Sequence, residues 1–162
     1  MCAGMARTNQ TSEAYFCKAH AFSANSGAAK FPMIVLDAPI VVELLMNGRL
    51  ADPFRRDLSG RVDLLIVLHL LDIEVASGVR KLSSTETIDP PRAAQIFDGL
   101  VSLPVPGYAH TPLLDRIWEL RHNFTCYDAA YIALAEATDS VLYTSDKKLR
   151  DGHRTRVRLF DR

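Results

Sequence analysis

The sequence is short of cysteine. It has three in 162 residues, Cys2, Cys17 and Cys126, with no CxxC pair and an odd count. That excludes a disulfide framework or a zinc ribbon and suits a reducing cytoplasm. Cys126 has no histidine near it in a pattern that suggests pairing, so it reads as a small packing residue rather than a nucleophile. The histidines, His20, His69, His110, His122 and His153, lack metal-ligand spacing. The apolar run "LLIVLHLL" over 64–71 is bounded by Asp63 and Asp72, and a bilayer span needs about 20 residues. The first 32 residues contain no continuous apolar stretch of the secretory-signal kind. Net charge is also absent, at +0, which excludes a uniformly basic nucleic-acid binder. The balance is uneven, however: residues 147–162 carry seven basic against two acidic side chains, a local +5, and the remainder is correspondingly acidic.

What is present is an ordinary globular composition, 48% hydrophobic and 23% charged, in a chain long enough for one domain with a sizeable core. Residues 1–32 are rich in Ala, Ser, Asn and Thr without periodic apolar positions and read as a poorly ordered extension. Met33, where the composition shifts, is a second candidate for the start of translation. The domain is expected over 33–162. "MIVLDA" reads as a fully apolar central parallel strand. A helix with Pro39 in its first turn follows and stops at Gly48. Residues 49–63 are charged and irregular, with room for a short helix. A helix is expected over 67–82, striped by Leu68, Leu71, Val75, Val79 and Leu82. Another starts near Pro91, a short strand spans Leu103 to Val105, and "HTPLLDRIWELRHNF" forms a further helix. "TCYDAAYIALAE" (125–136) lacks alternation and is apolar after Asp128, the mark of a helix buried on most sides. "SVLYTSD" is a strand, "KKLRDG" a helical turn and "RTRVRLFD" a final strand. Strands alternating with helices give an α/β fold with a parallel sheet.

Four acids stand out. Asp37 ends the first strand and Asp146 follows a later one, and functional groups of open α/β sheets collect beyond the carboxyl ends of strands. Asp128 lies in the first turn of the buried helix, three residues after Thr125. Taken singly, Asp37, Asp128 and Asp146 are also explained as helix-capping acids. Glu74 lies at the margin of an apolar stripe, where an acid needs a partner; Asp72 is about 200° away around the helix and faces elsewhere. Together, such carboxylates stay ionised only with a cation, since like charges raise one another's pKa. Oxygen ligands suit Mg²⁺ or Mn²⁺, which activate water and stabilise leaving oxygens in phosphodiester cleavage.

The segments "MIVLDAPIVVELL", "HLLDIEVASGVRKL", "LLDRIWELRHNFTCYDAAYIALAE" and "LYTSDKKL", between about Met33 and Leu149, resemble successive motifs of PIN-domain proteins, especially VapC-type toxins of bacterial toxin–antitoxin pairs. The resemblance implies a three-layer α/β/α fold with four to five short parallel strands and Mg²⁺- or Mn²⁺-dependent endoribonuclease activity. It matches the metal-binding and catalytic carboxylates to Asp37, Glu74, Asp128 and Asp146, with Thr144 as a supporting hydroxyl. It also implies a homodimer, an RNA substrate and a cognate antitoxin that blocks the site, while the cysteine usage suits the cytoplasm and the short apolar run suits no membrane. The chain departs from the pattern at Pro39, where the family usually has Ser or Thr. That change removes a hydroxyl and a backbone donor near Asp37 and motivates a second reading, a catalytically impaired module that binds antitoxin or RNA. The family usually has a proline before the position of His69; here the run stays apolar, so the helix is expected to start early. A phosphotransfer site of the haloacid-dehalogenase kind built on Asp37 would need a second Asp where Pro39 stands.

RNA binding needs cations beside the acids. Lys81, seven positions after Glu74 and on the same helix face, is the first candidate. Arg80 and Lys147 come next, with Lys148, Arg116 and Arg121 beside them. Tyr127 and Tyr131 are candidates for base stacking, although core packing suits them better.

Overall fold

The computed structural model describes residues 32–161. The reading of residues 1–32 as an extension therefore falls outside the described residues, apart from Pro32. Five strands, β1 (Met33–Leu36), β2 (Leu64–Leu68), β3 (Gly107–Tyr108), β4 (Val141–Thr144) and β5 (Arg156–Leu159), form one sheet in the order β3-β2-β1-β4-β5. Every neighbouring pair is parallel. Among the described residues six α-helices are interleaved: α1 (Ala38–Leu45), α2 (Ala51–Leu58), α3 (Leu71–Ser84), α4 (Pro90–Val101), α5 (Leu114–Glu119) and α6 (Cys126–Ala137). The links from β1 to β2 to β3 run outward one way, and the link to β4 runs back. Right-handed crossovers then place α1–α4 on one face and α5 and α6 on the other.

β1 is central and covered on both faces. Ile34 and Val35 are fully buried, and so are Ile66 and Leu68 of β2 and Leu142 of β4. That explains the unbroken apolar runs of these strands. α6 is buried from Ala129 to Ala135, as its lack of polar positions predicts. Among the described residues, no helix is long and apolar enough to cross a membrane.

Local chemistry moves several expected boundaries. The run 64–71 is a strand followed directly by a helix. β2 takes Leu64–Leu68, and α3 begins at Leu71 rather than at residue 67. Without Gly, Pro or Asn between them, a buried strand and a buried helix turn read alike. The strand expected at Leu103–Val105 lies instead at Gly107–Tyr108. Pro104 and Pro106 cannot donate to a ladder, although the Pro106 carbonyl accepts from the Val67 amide at 3.1 Å. The first helix ends at Leu45, and Asn47, with φ 53°, turns the chain before Gly48. The long expected helix at 110–124 is a short α-helix between two 3₁₀ turns, Thr111–Leu113 and Leu120–His122.

Candidate active site

The sheet order reverses between β1 and β4, so a crevice opens beyond their carboxyl ends. Asp37 enters it as the last residue before α1. Its amide donates to the Tyr143 carbonyl at 3.2 Å, which ties it to β4. As N-cap of α1 it accepts the Ile40 amide on Oδ1 at 2.9 Å. The capping role expected of it is therefore real, but it uses one oxygen. The carboxylate is 2% exposed, and Oδ2 is buried with no hydrogen-bond partner. Burial pushes the Asp37 carboxyl up to about 7. The nearby Thr144 hydroxyl and the Ile40 amide oppose that rise, while the charges of Asp146 and Glu74 add to it. Thr144 stands close enough to favour the charged form but makes no hydrogen bond to Oδ2.

Thr144 ends β4 fully buried, and its hydroxyl accepts the Asp146 amide at 2.9 Å. Asp146 in turn caps the 3₁₀ turn Lys147–Leu149, accepting the Lys148 amide at 2.9 Å. Glu74, in the first turn of α3, is half-buried and accepts the Tyr131 hydroxyl at 2.5 Å. Burial pushes Glu74 up; the Tyr131 hydrogen bond opposes this and the charge of Asp128 adds to it. Asp72 is exposed. Asp128 sits in the first turn of α6. Its amide donates to the N-cap Thr125 hydroxyl at 3.2 Å, and that hydroxyl donates to Asp128 Oδ2 at 2.8 Å.

The four acids thus gather in two overlapping neighbourhoods, Asp37 with Asp146 and Glu74, and Glu74 with Asp128. Among the described residues, no three acidic, histidine or cysteine side chains stand close enough together to enclose an ion as they are. The donor chemistry nevertheless fits a divalent cation. A buried carboxylate oxygen without a partner, in the field of two more carboxylates, lacks only a positive charge.

The basic candidates are distributed differently. Arg80 and Lys81 are exposed on α3, but helical rise carries Lys81 about 10 Å along the axis from Glu74. Lys147, directly after Asp146, is exposed and pairs with Asp161 at 3.0 Å. Arg116 is committed elsewhere, to Glu136 at 2.7 Å and Glu119 at 2.8 Å. Arg121 donates to the Trp118 carbonyl at 2.7 Å and lies 4.8 Å over its ring. Cys126 is exposed rather than a packing residue, because the first turn of α6 precedes its buried stretch. Tyr127 is also exposed, whereas Tyr131 is buried. The hydrogen-bonding role of Tyr131 was missed from sequence; its place three residues after Asp128, on one helix face, is the signal that could have found it.

Sheet order, layering and carboxylate crevice together define a PIN domain. No protein-family model matches the chain. A VapC ribonuclease of Mycobacterium bovis is 38% identical over 119 residues, covering 74% of this chain and 90% of that one. Ribonuclease VapC1 of Mycobacterium tuberculosis is 38% identical over 117 residues, covering 71% and 86%. Among solved structures, a Pyrobaculum aerophilum protein aligns with a TM-score of 0.60 at 22% identity, over 85% of this chain and 88% of that one. VapBC2 of Rickettsia felis, bound to a DNA fragment from its promoter, aligns at 0.57 and 16% identity, over 80% of this chain and 99% of that one. These two show the shared fold. The chain belongs to the VapC family of PIN-domain proteins.

Proposed function

We propose that this protein is a Mg²⁺- or Mn²⁺-dependent endoribonuclease, the toxin of a toxin–antitoxin pair. The observation that carries the reading is Asp37 Oδ2, a buried carboxylate oxygen with no partner, beside the charges of Glu74 and Asp146. Asp37, Asp146, Glu74 and Asp128 are the residues that would hold the cation. When bound, Mg²⁺ supplies the positive charge that keeps these acids ionised, polarises a phosphate oxygen and makes water a better nucleophile. Thr144 holds the backbone of Asp146, and Lys147 offers a cation to the phosphate chain beside the acids. Arg80 and Lys81 extend that surface. The ribonuclease names of the relatives support the RNA substrate, and the VapBC2 neighbour supports a cognate antitoxin. A cytoplasmic homodimer belongs to the same reading, and light scattering on the eluted protein tests the dimer.

Pro39 gives less support to the impaired-module reading than its sequence position suggests. It occupies the first turn of α1, exposed, where backbone amides have no intrahelical partner. Purified protein is expected to cleave RNA with Mg²⁺ or Mn²⁺ and to stop with EDTA. Asp37→Asn and Asp128→Asn should each abolish cleavage while keeping the fold. Metal-independent cleavage, or full activity in either variant, would overturn the assignment. Cation binding without cleavage would favour the impaired module.

A further inference from the structure

The ring of Tyr131 is 3% exposed in the core, a place that phenylalanine would fill equally well. Its hydroxyl does something that packing does not require. It donates to Glu74 Oε2 at 2.5 Å, the range of a charge-assisted bond. The same hydroxyl stands near the Ala38 amide and within the field of Asp37. One oxygen on α6 therefore meets α3 and the start of α1, the segments that carry Glu74 and Asp37. Glu74 and Tyr131 belong to helices on opposite faces of the sheet, so their bond bridges its carboxyl end. A half-buried glutamate without such a partner would turn its carboxylate towards solvent, as long charged side chains do.

We propose that Tyr131 is a positioning residue, whose hydroxyl fixes the Glu74 carboxylate across the carboxyl end of the sheet so that it is preset for a divalent cation. This rests on the cation-binding reading above. Groups that orient a ligand in this way typically change metal affinity about 10- to 100-fold when removed.

The test is calorimetric titration of Mn²⁺ into the full chain. Tyr131→Phe should keep the circular dichroism spectrum and bind Mn²⁺ about tenfold more weakly. Added to Glu74→Ala, the same change should cost almost nothing further, because its effect runs through Glu74. Unchanged affinity in Tyr131→Phe overturns the inference alone. An equal loss in both backgrounds also overturns it, since that is the signature of packing. A wild type that binds no Mn²⁺ overturns the cation reading and this inference with it. If Tyr131→Phe does not fold, proton spectra of the wild type decide. A downfield Tyr131 hydroxyl resonance that moves with saturating Mg²⁺ supports the proposal, and one that stays fixed overturns it.

Discussion

Asp37 divides its work between two oxygens. Oδ1 caps α1, while Oδ2 is buried without a donor. Its ionisation is therefore costly in the fold, with the carboxyl pushed from 3.8 up to about 7 by burial and by the neighbouring acids. Below about pH 4 both folded and unfolded chains hold the proton, and no penalty arises. Between about 4 and 7 only the unfolded chain ionises, so stability falls; above about 7 the whole penalty is present, on the order of 4 kcal/mol. In metal-free buffer the thermal midpoint of the wild type should drop between pH 5 and 8. Asp37→Asn, which keeps a capping side chain, should lose that drop and be the more stable protein at pH 8. Mg²⁺ should raise the wild-type midpoint at pH 8 and leave the variant unmoved. A wild-type midpoint that does not fall between pH 5 and 8 would refute the proposed burial cost. Sequence indicated the acid and its cap, because both follow from a strand end meeting a helix start. The orphaned oxygen was not legible, since it depends on what β4 and α3 bring against it.

At the level of elements, the helix that carries Asp128 depends on its cap. Thr125→Ala removes the acceptor for the Asp128 amide and the donor to its carboxylate. Urea unfolding should show a loss of about 1 kcal/mol. The opposite end of α6 is held by Glu136, whose carboxylate accepts Arg116 Nε and Nη2 at 2.7 and 3.1 Å and the Arg154 amide at 3.0 Å. Burial alone would push Glu136 up, yet these partners hold it below its usual range. Arg116→Ala should cost about 2 kcal/mol, because a poorly exposed carboxylate then loses its main partner. Reading Arg116 as an RNA contact missed this, since Arg116 and Glu136 lie on neighbouring helices and nothing in a linear pattern pairs them. Element type was most legible where chemistry punctuates the chain, as at Pro91 in the first turn of α4 or Thr125 before α6. It was least legible in 64–71, where a strand and a helix of one hydrophobic character join without a break.

For the whole molecule, net neutrality conceals a basic carboxyl-terminal segment beside an acidic crevice. RNA affinity, measured with Asp37→Asn, the variant expected not to cleave, across a series of salt concentrations, should weaken as salt rises. Lys147→Ala should reduce the steepness of that dependence by about 0.7, the share of one single-strand phosphate contact. Lys81→Ala should reduce it less, because α3 carries that residue two turns from Glu74. Equal effects of the two changes would place the RNA path along α3 instead.

The order of the strands has a consequence in time. The chain lays down the central strand first, builds outward on one side through β2 and β3, and only then returns to fill the other side with β4 and β5. Asp37 is made early, but Thr144 and Asp146, which complete its surroundings, come near the end. At roughly 5–20 residues per second, a ribosome spends several seconds making the hundred or so residues between them. Throughout that interval the nascent chain holds one flank of β1 uncovered and a crevice with only part of its acids. The carboxylate crevice is therefore completed by the last part of the chain to emerge, and a chain released before residue 144 would lack both Thr144 and Asp146.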